Sequence, residues 1–450
     1  MSSIEKTIEI VEALILNRLG KSLSFIQKVV LRESLSEIHK TYAQIALENN
    51  YSENYIKQLV APKLWQLLSA VLGEKVNRTN CRAVLEQQVE NSSFVKTSKP
   101  AETPQKITLE SPEGPVPLTS PLYIERGLEL TCCQEILQPG AIIRIKGPKK
   151  MGKTSLMTRI FAYGSSQNYH TVRLSFYSAE KDVFSSVEKF LRWLCANVNY
   201  QLGLESKLED HWHEDLGALI NCTLYFQDYV LNKISNPIIL ALDEVNHLLE
   251  YPNLARDFLA LLRTWHERNK DISIWQKLRL ILVNSTDIYI SLSTNRSPFN
   301  IGLTIELPSF TKLQVEDLAQ RHGLQLTSSE LEQLMELTEG FPYLVRLALY
   351  HSIHRQIPVE ILLQDAATDT GIFSDHLHEQ LWYLQQNPNL AVAFQQAIAT
   401  IAPISLRQEV AFKLKSLGLL QLEGKQATVS CGLYREYFAS ILASQRGSII

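Results

Sequence analysis

The chain has 450 residues, 45% hydrophobic and 20% charged, with Lys+Arg 44 against Asp+Glu 47 and a formal net charge of -3. That length exceeds one ordinary core and implies about two to four domains, while the near-balanced charge excludes a global basic field for nucleic acid or anionic membrane. No apolar run approaches the roughly 18 residues of a membrane span, and Met1-Ser2-Ser3-Ile4-Glu5-Lys6 lacks the basic-then-apolar order of a signal peptide, so a cytoplasmic protein without a membrane partner is expected.

Residues 1–89 read as helical, with apolar periodicity and no strand alternation. Within them, Thr41-Tyr42-Ala43-Gln44-Ile45-Ala46-Leu47-Glu48, the turn Asn49-Asn50-Tyr51-Ser52 and Glu53-Asn54-Tyr55-Ile56-Lys57-Gln58-Leu59 predict a helix, a tight turn and a second helix. Ala46 is small where two helices cross, Asn50 tolerates a positive φ, and Ser52 can cap the second helix. Ile45 and Ile56 would pack between them, and Ser24–Arg32 supplies a supporting helix. Trp65 with Leu64, Leu67 and Leu68 reads as core. The second helix offers Asn54, Lys57, Gln58 and Lys63, but also Glu53, followed by Lys75, Arg78 and Arg82. This is a modest basic footprint, equally compatible with duplex DNA and with a protein partner.

Residues 90–120 crowd Pro100, Pro104, Pro112 and Pro115 among small polar residues and read as a linker. From 121 to 310 apolar strands alternate with helical stretches, which predicts a parallel sheet covered on both faces. Strands are expected at Ala141–Ile145, Thr171–Phe176, Ile238–Leu242, Leu278–Val283 and Gly302–Glu306, with an amphipathic helix over Ser186–Leu204. Residues 311–385 turn helical again, through Gln314–His322, Ser328–Leu337 and Leu344–His354. Residues 386–450 predict helices over Leu390–Ile401 and Leu406–Leu417 and a hairpin at 418–430 turning on Glu423-Gly424-Lys425. The six cysteines (Cys81, Cys132, Cys133, Cys195, Cys222, Cys431) form no C-x-x-C and no zinc spacing, so they are read as incidental thiols.

Gly147-Pro148-Lys149-Lys150-Met151-Gly152-Lys153-Thr154 is a full G-x-x-x-x-G-K-T phosphate loop between a predicted strand and a helix that opens at Ser155. Such a turn aims backbone N–H groups and a helix N-terminus at one point, which suits a nucleoside triphosphate such as ATP. Lys153 would reach the β/γ-phosphates and Thr154 would ligate Mg²⁺. The strand ending in Asp243-Glu244 would place one carboxylate near the metal and one beside the attacking water. The fourth strand ends in Asn284, a candidate for contacting that water or the γ-phosphate, with Ser285 and Thr286 as weaker candidates. No arginine stands out as a finger; Arg296, Arg144 and Arg346 are the guesses.

The order phosphate loop, Asp-Glu, polar Asn, helical lid resembles the AAA+ superclass, and two stretches resemble its signal-transduction branch, the STAND ATPases. Tyr123-Ile124-Glu125-Arg126-Gly127-Leu128-Glu129-Leu130 is similar to the hydrophobic-Gly-Arg-x-x-Glu-Leu motif that lines the adenine pocket, with Glu125 where glycine is usual. Gly340-Phe341-Pro342 is similar to the lid's Gly-x-Pro motif, whose proline touches the nucleotide. Over 120–440 the chain resembles a cyanobacterial AAA-like family, carried by Ser120–Arg126, Pro139–Lys146, Trp275–Leu280 and Ser297–Leu303, although Asn246-His247 stand where relatives often carry Asp-Arg. The amino-terminal pattern resembles the helix-turn-helix domains that accompany such ATPases. The resemblance implies an ATP-dependent regulatory switch with a carboxyl-terminal winged helix that senses the nucleotide state. It leaves slow hydrolysis, a nucleotide-gated DNA-binding regulator, an interaction scaffold and a nucleotide-dependent oligomer all open.

Overall fold

A computed structural model describes residues 7–444, apart from 9, 12–13, 16–17, 19–22, 24, 37–39, 49–52, 86–109 and 286–300. The expected turn at Asn49–Ser52, Thr286, Arg296 and the stretch 297–300 therefore lie outside the described residues. The chain divides into two compact units, residues 1–109 with 121–130 and residues 110–120 with 131–450.

The first unit is helical. Helix Tyr42–Glu48 opens on a reciprocal cap: the Gln44 N–H donates to Thr41 Oγ1 at 3.2 Å, and the Thr41 N–H donates to Gln44 Oε1 at 2.8 Å. The expected second helix begins at Glu53 but does not stop at Leu59. It continues through a π-helical turn, Ile56–Val60, into Ala61–Leu72. Pro62 accounts for the wide turn, because its ring would crowd the carbonyl one ordinary turn earlier. Ile56, Val60, Leu64 and Leu68 recur every four residues and are all buried, packed with Ile26, Val30 and Ile45. Trp65 and Leu67 pack partly buried against the same core. Asn54, Lys57, Gln58 and Lys63 remain exposed on the opposite side.

The second unit is built on a five-stranded sheet: β1 Ile142–Lys146, β2 His170–Ser175, β3 Ile238–Asp243, β4 Leu278–Asn284 and β5 Leu303–Glu306. Its order is β2-β3-β4-β1-β5, and every pairing is parallel. All five expected strands are present, each end within one residue of its expected place. Every residue of β3 and β4 is buried, as central strands covered on both faces require. On one face, Leu240, Leu242, Leu280 and Leu282 pack with Phe190 and Leu194 of helix Val187–Leu202 and with Phe258 and Trp265 of helix Pro252–Arg268. The other face carries Ile239 and Ala241. Helix Lys153–Ser166 packs there so closely that a Cβ added at Gly164 would lie 2.3 Å from Ile239 Cδ1.

The sheet order fixes where the phosphate loop lies. Because β1 sits between β4 and β5, the ends of β1, β3 and β4 converge at one edge, where loop 147–152 leaves β1. The lid helices Lys312–Arg321 and Ser328–Thr338 each open with a complete capping box, Thr311/Gln314 and Thr327/Glu330. Beyond them, helices Pro388–Ile398 and Gln408–Ser416 pack with a three-stranded antiparallel sheet, β6 Ile404–Ser405, β7 Leu420–Glu423 and β8 Gln426–Val429, in the order β6-β8-β7. The predicted hairpin is β7–β8, turning at Gly424 and Lys425; the short β6 was not expected from the sequence.

Residues 110–120, read from the sequence as part of a linker, make specific contacts. The Val116 N–H donates to Ser155 Oγ at 2.9 Å, and Arg159 donates to the carbonyls of Val116 and Pro117 at 3.1 and 3.0 Å. Prolines stiffen this strap, so little backbone entropy is left to lose on docking.

The lid turn rests on a glycine. Gly340 adopts φ +66, and an added Cβ would lie 2.0 Å from the Phe310 carbonyl oxygen. Backbone cannot yield as a side chain can, so Gly340→Ala is expected to destabilise the second unit by at least about 2 kcal/mol. Differential scanning calorimetry should record a transition several degrees lower than in the parent chain; an unchanged transition would refute the packing described.

Candidate functional site

The loop between β1 and helix Lys153–Ser166 is shaped by three residues with positive φ: Gly147 (150), Lys150 (66) and Gly152 (92). They turn the chain back so that the helix starts at Lys153, with its first N–H groups facing the loop interior. Lys153 is buried. Its Nζ donates to the carbonyls of Gly147 and Pro148 at 2.9 and 2.8 Å. Burial pulls its pKa down to about 8, against the opposing pull of Glu244 and Asp243.

Asp243 ends β3 and is buried, its side chain only 4% exposed. Its Oδ2 lies 3.5 Å from Thr154 Oγ1 and accepts from Arg173 Nη2 at 2.7 Å; its Oδ1 accepts the Glu244 N–H at 3.0 Å. Glu244 itself sits at φ 57, an uncommon conformation for a side chain of its size. Its Oε2 is buried and has no hydrogen-bond partner among the described residues. A solvent-excluded carboxylate oxygen without a donor beside a metal-type Thr/Asp pair is what a bound water would satisfy. Asn284, at the end of β4, is buried and stands in register with Lys146, immediately before the loop.

Sequence position thus brings Gly147, Pro148, Lys149, Lys150, Met151, Gly152, Lys153, Thr154, Asp243, Glu244 and Asn284 to one sheet edge. Ser155 lies there too, its hydroxyl accepting from Val116. Arg126 falls in the first compact unit. Its N–H donates to the Glu129 carboxylate at 3.1 and 3.2 Å, which also accepts the Tyr123 hydroxyl at 2.7 Å. Pro342 is the buried first residue of helix Pro342–Arg355. Its neighbour Phe341, rather than Pro342, lines a cavity of about 360 Å³ with Pro148 and Met151 of the loop.

Two of the guessed arginines are otherwise engaged. Arg144 donates to Thr304 across to β5, and Arg346 donates to Ser111 O at 3.1 Å from within the lid. For Arg346 this follows from burial, since a guanidinium inside a packed region must find a local acceptor.

A family model described as an AAA-like domain matches residues 111–440. The chain belongs to the AAA-like domain family. Residues 2–88 match a second family, described as the vWA-MoxR associated protein N-terminal HTH. No curated protein matches the AAA-like chain as a relative. Among solved structures, a Walker-type ATPase of Pyrococcus abyssi is similar at 14% identity and a TM-score of 0.48, over 70% of this chain and 95% of that one. The ORC2 protein of Aeropyrum pernix, in ADPNP-ADP complexes, is similar at 14% identity and a TM-score of 0.44, over 72% and 94%. AMPPCP-bound DnaA from Aquifex aeolicus gives 11% identity and a TM-score of 0.34, over 73% and 89%.

The AAA-like domain also places at the loop several groups that motif reading missed. Lys150 points away from Lys153, pairing with Glu379 at 2.8 Å and lying 3.3 Å from His376 Nδ1, with its ammonium 4.4 Å from the centre of the Tyr343 ring. Burial, then the neighbouring Lys150 charge, depresses the His376 pKa to about 3, so the ring is neutral. With Nδ1 accepting from the ammonium, the ring proton sits on Nε2 and is donated to the Tyr434 hydroxyl at 2.7 Å. The Lys149 N–H donates to Ser416 O at 3.2 Å. Helices Ser374–Gln386 and Gln408–Ser416 therefore hold the loop from outside. Asn246 is a further unsuspected link: its Oδ1 accepts the Ser285 N–H at 3.1 Å, tying the turn after Glu244 to the end of β4. Long sequence separation hid all of these.

Lys153 gives the site a pH signature. Anionic phosphate would return its pKa toward the usual range, so binding takes up a proton wherever the free ammonium is already titrating. Affinity for tripolyphosphate is expected to be flat below about pH 7.5 and to fall by up to about tenfold per unit above about pH 8. Calorimetric titration across that window should detect the slope in the parent chain and not in Lys153→Ala.

Proposed function

We propose that the chain is an ATP-binding switch of the STAND type, slowly hydrolysing, in which ATP with Mg²⁺ at the phosphate loop sets the position of its carboxyl-terminal module. The observation that carries this reading is the convergence of a buried lysine, a threonine hydroxyl, a buried aspartate and an unsatisfied glutamate oxygen at the start of one helix. The loop amides and Lys153 would bind the phosphates. Thr154 and Asp243 fit Mg²⁺, which takes few protein ligands and keeps several waters; among the described residues no cluster of three or more His, Cys, Asp or Glu offers a full protein cage. When bound, that ion would neutralise charge on the β- and γ-phosphates. Glu244 would orient and polarise the attacking water, and Asn284 would hydrogen-bond that water or the γ-phosphate. Pro342 is proposed to contact the nucleotide from the lid.

Two helices and a small antiparallel sheet support reading 386–450 as a winged helix. Ser416 of this module accepts the Lys149 N–H, which supports a sensing role, because a loop that rearranges around phosphate must alter that bond. Lys153→Ala is expected to weaken ATP binding at least about 100-fold, whereas Glu244→Gln should keep binding and lower turnover by about 100-fold or more. Fluorescent-nucleotide titration and single-turnover hydrolysis check both, and undiminished binding by Lys153→Ala would refute the site.

A second reading is favoured by the exposed row Asn54, Lys57, Gln58 and Lys63 on the amino-terminal unit, in a stretch matched by a helix-turn-helix family. Duplex DNA would take amide and basic groups on such a helix. Lys57→Ala with Lys63→Ala should reduce DNA affinity and lower the salt slope by about two. An intact slope, or no binding at low salt by the parent chain, would leave the row to a protein partner.

A further inference from the structure

Arg173 lies on β2, the edge strand beside β3. Ser175 is in register with Asp243 and Arg173 with Ala241, so Arg173 and Asp243 share a sheet face two residues apart along the strand direction. An extended arginine covers that distance. Its Nη2 donates to Asp243 Oδ2 at 2.7 Å, and that same oxygen is the one 3.5 Å from Thr154 Oγ1. The strand position is fixed independently: the Arg173 N–H donates to Gln201 Oε1 at 2.9 Å, and Gln201 Nε2 donates to the Arg173 carbonyl at 2.8 Å. One amide side chain thus covers the open edge of β2 at this residue.

The two partners differ sharply in environment. Asp243 is 4% exposed at its side chain and Arg173 is 42% exposed. The aspartate therefore requires a cation, while the arginine has water to return to. A divalent ion held by Thr154 and facing Asp243 would bring a second positive charge to the oxygen that the guanidinium already occupies. Both cations cannot hold it at full strength.

We propose that Arg173 is the internal counter-charge of the metal position, neutralising Asp243 when Mg²⁺ is absent and setting the concentration at which Mg²⁺ takes over. The inference rests on the nucleotide reading of the phosphate loop and names a residue that neither that loop nor the Asp-Glu pair includes. It makes Arg173 a positioning residue, acting through Asp243, with no demand that it touch the nucleotide.

The test is Mg²⁺ dependence. Binding of a fluorescent ATP analogue is measured in EDTA and across a Mg²⁺ titration for the parent chain, Arg173→Gln and Arg173→Lys, with Mn²⁺ paramagnetic resonance as a direct report of metal occupancy. Arg173→Gln is expected to lower the half-saturating Mg²⁺ or Mn²⁺ concentration at least tenfold, with Arg173→Lys between the two. Its melting temperature should fall in EDTA and recover when metal and nucleotide are added together. Should Arg173→Gln not fold, the Arg173→Lys shift alone decides the question. A half-saturation within twofold of the parent, or one that rises, overturns the proposal while leaving nucleotide binding intact. A merely structural arginine would lower stability equally with and without metal. If the parent chain binds no nucleotide at any Mg²⁺ concentration, the nucleotide reading fails and this inference fails with it.

Discussion

The second unit depends on one buried negative charge. Asp243 stands at the end of a strand whose six residues are all buried, and a carboxylate taken out of water there must be compensated. The sheet order makes compensation possible. With β3 between β2 and β4, Asp243 receives Arg173 from one neighbouring strand, the Glu244 N–H from its own chain and Thr154 from the helix laid over the same face. Lys153 adds a further positive charge nearby, felt in the electrostatics of its own titration. The chain turns left-handed at Glu244, the residue whose N–H binds the aspartate. The arrangement that stabilises a lone carboxylate is also one that a divalent ion and a triphosphate could enter with little rebuilding.

The loop has two faces, and its two lysines divide them. Lys153 turns inward to loop carbonyls, a substitute for the phosphate oxygens it would meet in the proposed complex. Lys150, at positive φ, turns outward to Glu379, His376 and Tyr343. The ion pair with Glu379 is partly exposed and adds little by itself. Combined with a ring contact and a buried neutral histidine, it defines a position rather than a large energy. On the far side, Lys415 pairs with Glu306 at 2.8 Å, and a Cβ added to Gly418 would lie 3.2 Å from the Phe341 ring. Loop, lid and carboxyl-terminal sheet thus meet around one cavity, and a shift in any of the three is felt by the other two.

Local patterns made much of this legible. The five strands, the lid helices and the β7–β8 hairpin were readable because apolar period and turn residues are short-range signals. The phosphate loop and Asp243-Glu244 were readable because their chemistry is contiguous in the chain. Arg173 was not. It lies inside a stretch that reads simply as a strand, and only the neighbour relation of β2 and β3 brings it to Asp243. The same applies to Lys150 with Glu379, more than two hundred residues apart, and to Asn246 with Ser285. The strap at 110–120 was hidden for a different reason: proline and serine crowding signals an absence of regular structure, which is distinct from an absence of contacts. The continuation of the second amino-terminal helix past Leu59 was masked by Pro62, which reads as a breaker until the π-helical turn before it is seen.

These contacts bear on whether the proposed switch is governed by binding or by turnover. Groups that would act on a γ-phosphate, Glu244 and Asn284, lie at the ends of β3 and β4, while Ser416 of the carboxyl-terminal module holds Lys149 and Glu379 of helix Ser374–Gln386 holds Lys150 at the outer turn of the loop. In the proposed switch the outer turn would respond to whether any phosphate fills the loop, since the Lys149 amide is already held by Ser416. The strand ends would respond to the terminal phosphate alone. Such a switch would have two separable inputs: occupancy, read through the loop, and the third phosphate, read through the sheet edge. Asn246 is positioned to join them, because it ties the turn after Glu244 to Ser285, next to Asn284. Loss of that bridge should uncouple the two strand ends while leaving the loop and its outer contacts in place.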